Sequence, residues 1–237
     1  MQQISLAAIN IDVVHKDIKN MHLSVYPPSG RVRISAPLHM DIDTIRVFAI
    51  TKVGWIKQQQ AKLLAQEREA PRDYITQESH YYLGKRYLLR VIEHEGPSKV
   101  ILKHSTIEML IRSGTAPEKR MEILDAWYRK QLKAIIPAYI QHWESVMKVR
   151  VGEIAIKKMK TKWGSCNREA GRVWLNLELG KKPLHCIEYI IVHEMVHLLE
   201  RKHNERFIAY MDGFLPKWRF YKEELNRSPL RHENWSY

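Results

Sequence analysis

Five consecutive residues, His193-Glu194-Met195-Val196-His197, constrain this chain more than any other feature of its sequence. Positions four apart lie on one face of an α-helix, so a helix here aims two imidazoles at one point. Glu194 follows the first histidine and reaches a water held at that point rather than the point itself. Two ring nitrogens, a carboxylate to take a proton and one open position are what a hydrolytic zinc site needs. The preceding Ile187, Ile190, Ile191 and Val192 mark the helix as buried, and a helix locked by packing holds its ligands still.

His203 lies ten residues after His193, the offset at which several zinc peptidase families place a third ligand. The expected site is therefore His193, His197 and His203 around one Zn2+ per chain, with Glu194 as catalytic base. In metzincins a glycine three residues after the second histidine bends the chain off the helix. Here that position is Glu200, so the likeness to metzincins stops at the spacing. The chain must leave the helix within Glu200-Arg-Lys-His-Asn, where Asn204 is placed to cap the next one. A rival third ligand is a later carboxylate, Glu223 or Glu224, as in sites built from two His and one Glu.

Before this segment the chain reads as strands and helices in mixed order. Residues 21–26 and 31–35 alternate apolar and polar around the turn at Pro27-Pro-Ser-Gly, a hairpin signal. Asp41 or Asp43 caps a helix carrying Ile45, Phe48, Val53 and Ile56 to about Gln66, broken by Ala70-Pro71. Residues 81–93 and 99–103 read as a strand pair turning at Glu95-Gly-Pro-Ser. Ser113-Gly-Thr-Ala-Pro is the best boundary, followed by an amphipathic helix with Ile123, Trp127, Leu132, Ile135, Ile136 and Trp143 on its apolar side. Pro137 is expected to kink or split that helix. Residues 149–162 and 172–177 read as strands, Pro183 opens the helix that runs through His193 to about Glu200, and a last helical stretch is interrupted at Pro216. No internal repeat is evident. The class is α+β, with a β-rich N-terminal part over 1–114 and a catalytic domain over 115–237.

Trp163-Gly-Ser-Cys, then Leu175-Asn-Leu, then His193 through Phe207 resemble, in order and spacing, the YgjP-like metallopeptidases, with more distant similarity to SprT-like and WLM proteases. The match covers roughly residues 150 to 225. The N-terminal half is similar in outline through Gly54-Trp-Ile-Lys and Tyr82-Leu-Gly-Lys-Arg-Tyr. The resemblance implies a zincin-like domain with three histidine ligands and the glutamate base, acting on peptide bonds of a peptide or protein substrate.

Other residues carry finer expectations. Phe207 packs behind His203. The strand at 173–177 is expected to form the sheet edge above the metal, where an extended peptide adds as a further strand. Asn176 either faces substrate or closes a turn. Trp163 is expected in the core and Gly164 at an unusual backbone angle. Cys166 is a conceivable fourth ligand, and Cys186 a buried small hydrophobe. Arg206, Tyr210 and His232 are the candidates beside the metal for binding substrate and stabilising an oxyanion.

Net charge is +13, which raises the odds of a polyanionic partner without specifying one. Between Lys148 and Lys162 six Lys or Arg face only Glu153, so Lys157, Lys158 and Lys160 are candidate nucleic-acid contacts. Alternatives to a plain peptidase are a nucleoside triphosphate pyrophosphohydrolase and a protease acting on DNA-bound proteins. A non-catalytic zinc module has no use for Glu194. No apolar run is long enough to span a membrane, the N-terminus has no signal-peptide pattern, and two cysteines make no disulfide framework, so the expected location is the cytoplasm.

Overall fold

The computed structural model describes residues 2–6, 8–26, 29–65, 72–159 and 162–227. The expected turn at Pro27-Pro28, the helix end at Gln66, the break at Ala70-Pro71, Lys160 and His232 lie outside them. The described residues divide into two compact units, one up to residue 65 and one over 72–227.

In the first unit, alternation puts one face of a four-stranded sheet into a core. The strands are β1 (Gln2–Leu6), β2 (Ile9–Lys16), β3 (His22–Tyr26) and β4 (Arg31–Pro37). Their order is β1-β2-β4-β3, with β2 and β4 parallel and the outer pairs antiparallel. Ile11, Val13, Val32 and Ile34 bury that face against Ile45, Ala49 and Ile56 of two helices. The expected single helix is two, α1 (Ile42–Thr51) and α2 (Val53–Ala65), separated at Lys52. Asp41 is the cap of the first, its carboxylate accepting from Thr44 N at 2.7 Å.

The second unit begins by repeating that topology. Strands β5 (Ser79–Tyr82), β6 (Lys85–Glu93), β7 (Lys99–Leu102) and β8 (Thr106–Ile111) run in the order β5-β6-β8-β7, again with a parallel central pair. The segments expected to pair across Glu95-Gly-Pro-Ser are therefore not partners, because β8 lies between them. Helix α3 (Pro117–Met147) runs through Pro137 as one element rather than splitting. Its Leu124, Tyr128, Leu132, Ile136 and Ile140, four residues apart, form a buried stripe. That stripe shares one core with Leu89, Ile107 and Met109 of the sheet and with Ile187, Ile191 and Met195. The boundary expected at 114/115 lies in the turn between β8 and α3.

Three strands and three helices complete the unit: β9 (Glu153–Lys157), β10 (Gly164–Asn167), β11 (Arg172–Asn176), α4 (Leu184–Val196), α5 (Glu205–Phe214) and α6 (Trp218–Arg227), with a 3-10 turn over Leu177–Lys181 between β11 and α4. The sheet order is β10-β11-β9. Strand β11, expected at the edge, is central: it pairs antiparallel with β10 and parallel with β9. The free edge on the α4 side is β10.

Candidate metal centre and its cleft

Helix α4 is built from apolar residues that leave almost no polar face, so it is fixed by burial. It ends at Val196, and His197 still has right-handed helical backbone (φ −64°, ψ −16°), which keeps His193 and His197 on one face. The chain then turns through residues 198–203, and Asn204 caps α5 by accepting from Phe207 N at 3.0 Å. This turn returns His203 to the other two histidines.

The three rings converge. Centroids are 5.1 Å apart for His193 and His197, 4.9 Å for His193 and His203, and 4.7 Å for His197 and His203. One ligand nitrogen from each lies within 4.8 Å of the others. Burial, then repulsion from His197 and His203, pushes the His193 pKa down to about 3, so its ring is neutral. His197 is also shifted down by burial. Its Nδ1 donates to the Glu200 carbonyl at 3.1 Å, which leaves Nε2 with the lone pair a metal takes. The Nε2 atoms of His193 and His203 are 3.0 Å apart. Two ring nitrogens at that distance are stable together only with a proton or a cation between them. The donor set fits a divalent transition metal with imidazole preference.

Phe207 is the plate behind this group, buried and within 5.0 Å, centroid to centroid, of all three rings. Glu194 is 6% exposed, and burial raises its pKa to about 7 against the pull of Lys162. Gly164 is what makes room for it. A Cβ on Gly164 would stand 2.5 Å from Glu194 Oε1 and 2.6 Å from its Cγ. The glycine is thus required by a close approach and not, as expected, by an unusual backbone angle; its φ is not among the positive ones.

A model of the YgjP-like metallopeptidase domain matches residues 19–228. The chain belongs to the YgjP-like family. A search of curated protein sequences gives no match. A solved structure, the metallopeptidase zymogen abylysin of Pyrococcus abyssi, is similar at a TM-score of 0.36 and 15% identity, over 40% of this chain and 99% of that one, a likeness too remote to bear on the site. The family makes this a metallopeptidase domain and implies a metal ion. No helix among the described residues is long and apolar enough to cross a membrane.

In this YgjP-like chain the histidines and Glu194 sit in a cleft of about 980 Å³, lined on one side by β10 from Gly164 to Asn167. Several expected site residues lie elsewhere. Asn176 is buried and closes a turn: its amide donates to the carbonyls of Met159 (2.8 Å) and Lys162 (2.7 Å) and accepts from Glu178 N. A side chain so engaged has nothing left for substrate. Arg206 and Tyr210 bond each other at 3.2 Å along α5 and do not line the cleft. Lys157 stacks on Trp174 with Nζ 3.4 Å from the ring centroid, and Lys158 pairs with Asp125 at 3.2 Å. Neither lines the cleft. Glu224, the rival ligand, is 2.6 Å from His185 and groups with Cys186, apart from the three histidines. Cys166 lines the cleft but stays outside the histidine group, and burial beside Glu194 pushes its thiol up to about 11.

Residues that no sequence motif marks line it instead. Tyr189, one turn before His193, lies edge-on to that ring at 5.9 Å, and burial pushes its phenol up to about 12. Arg168, Arg172 and Lys222 join Lys162 and Arg201 around the opening.

Proposed function

We propose that the chain is a zinc metallopeptidase in which His193, His197 and His203 hold one Zn2+ and Glu194 is the general base. The convergence of three imidazoles beside a carboxylate buried against a glycine carries this reading. Bound there, zinc supplies Lewis acidity toward a carbonyl oxygen and a water. Glu194 takes the proton of the attacking water and returns it to the leaving amine. Gly164 holds that carboxylate in one place, and Phe207 keeps the three rings from rotating. An extended substrate adds to the free edge of β10, meeting backbone groups from Gly164 to Asn167.

The free thiols of Cys166 and Cys186 support a reducing compartment, hence the cytoplasm. The cationic lining of the cleft favours one second reading, hydrolysis of a phosphoanhydride such as a nucleoside triphosphate by the same base. Nucleic-acid binding through Lys157, Lys158 and Lys160, bringing the site to DNA-bound proteins, is a further proposal motivated by net charge. Incubating the zinc-loaded protein with peptides, nucleotides and protein–DNA complexes, with and without chelator, tests these. Chelator-sensitive release of new amino termini is expected. Nucleotide hydrolysis with no cut peptide overturns the peptidase reading.

A further inference from the structure

Charge around the cleft is one-sided. Lys162, Arg168, Arg172, Arg201 and Lys222 line it, against the carboxylates of Glu169 and Glu194, and Glu194 is buried. The five cations come from four separate segments. Lys162 precedes β10, Arg168 and Arg172 flank the β10–β11 turn, Arg201 lies between the second and third histidines, and Lys222 is on α6. Lys162, Arg168, Arg201 and Lys222 are exposed, and Arg172 lies over the Trp174 ring at 4.6 Å with Glu153 at 3.8 Å. The positive charge therefore lines the same cleft as the three histidines, and the hairpin turn carries it along β10.

A low-dielectric cleft lined by one sign of charge focuses its field on whatever enters. A peptide added to β10 runs along this field, since four strand residues span about 13 Å at about 3.3 Å each. Its side chains on both sides of the bond to be cut then meet cations. We propose that the cleft selects peptides with acidic side chains flanking the scissile bond. The proposal rests on the peptidase reading above and names its substrate class. Each exposed charge pair is worth a factor of about two to four, so a few together give about tenfold.

The test uses three peptides sharing one neutral core, flanked by Glu, by Gln or by Lys. Hydrolysis by the zinc-loaded protein is measured as kcat/KM at low and at high salt. The same labelled peptides are titrated, by fluorescence anisotropy, onto zinc-loaded Glu194→Gln. The Glu-flanked peptide is expected to lead the Gln-flanked one by about tenfold at low salt, with the Lys-flanked one last, and the gap is expected to narrow with salt. Combining Arg168→Gln, Arg201→Gln and Lys222→Gln is expected to collapse that ratio in a protein whose zinc content and melting temperature match wild type; Arg168→Gln alone is expected to reduce it if the triple variant does not fold. If no peptide is cut but the Glu-flanked one still binds best, the charge selection stands and the peptidase reading falls. Equal binding of all three peptides overturns the selection whatever is hydrolysed. So does a single-stranded oligonucleotide that binds more tightly than the Glu-flanked peptide, which would give the cleft to a phosphate polymer.

Discussion

Replacing Gly164 with Ala separates base geometry from metal binding. The added Cβ would meet Glu194 at 2.5 Å (Oε1), 2.6 Å (Cγ) and 2.8 Å (Cδ). Ordinary carbon contacts are about 3.5–4.0 Å, so the side chain must retreat by about 1 Å. An exposed glutamate would swing aside at small cost. Glu194 is 6% exposed and its Cγ is in the way as well as its carboxylate, so strand and helix must share the shift. Overpacking of this kind costs about 1–3 kcal/mol, or a few degrees in melting temperature for a unit of this size. The larger effect is on rate, because a displacement of about 1 Å at a reacting group costs on the order of 10²-fold. The histidine nitrogens are untouched, so zinc content is expected to stay near one per chain. The assay is kcat on the best-cleaved peptide, zinc by mass spectrometry and thermal unfolding, all on one preparation. Wild-type kcat in Gly164→Ala would refute the reasoning, and so would activity lost only in proportion to zinc.

Ala at His193, His197 or His203 is expected to abolish stoichiometric zinc, while Glu223→Ala and Glu224→Ala keep it; equilibrium dialysis reads both, and the reverse pattern makes the site one of two His and a Glu. Phe207→Ala removes a buried ring that contacts all three ligands, so a loss of about 3–5 kcal/mol in denaturant unfolding is expected, together with weaker zinc retention under chelator. Charge reversal at Lys157, Lys158 and Lys160 is expected to flatten the salt dependence of any DNA or RNA binding in gel shifts without changing zinc content; equal binding by wild type and variant removes these residues from the interface.

What was legible in the sequence was what local spacing dictates. The four-residue interval of His193 and His197, the apolar run before them and the cap at Asn204 each depend on one helix and its end, and the structure has them as read. Strand partners were not legible. Alternation reports which face of a strand is buried and is silent on which strand lies beside it. Hence alternation alone pairs the segment at 99–103 with β6 and puts β11 at an edge, and it does not reveal the repeated order of β1–β4 and β5–β8 in sequences that share only their pattern. The reason for Gly164 is not legible either, since a glycine kept for tertiary room looks the same in sequence as one kept for φ. The cations of the cleft were missed because Arg168, Arg172 and Lys222 come together only when the β10–β11 turn and α6 pack about α4. The lysine run at 157–160, dense in sequence, points its described members at Trp174 and Asp125 instead.

The central claim is that Glu194 is a base and not a ligand. Zinc content and peptide hydrolysis measured together on wild type and Glu194→Gln address it most directly. The amide has the size of the carboxylate and fits against Gly164, yet takes up no proton. One zinc per chain with turnover reduced by several orders of magnitude is the expected result; undiminished hydrolysis, or loss of the metal with the carboxylate, contradicts the account.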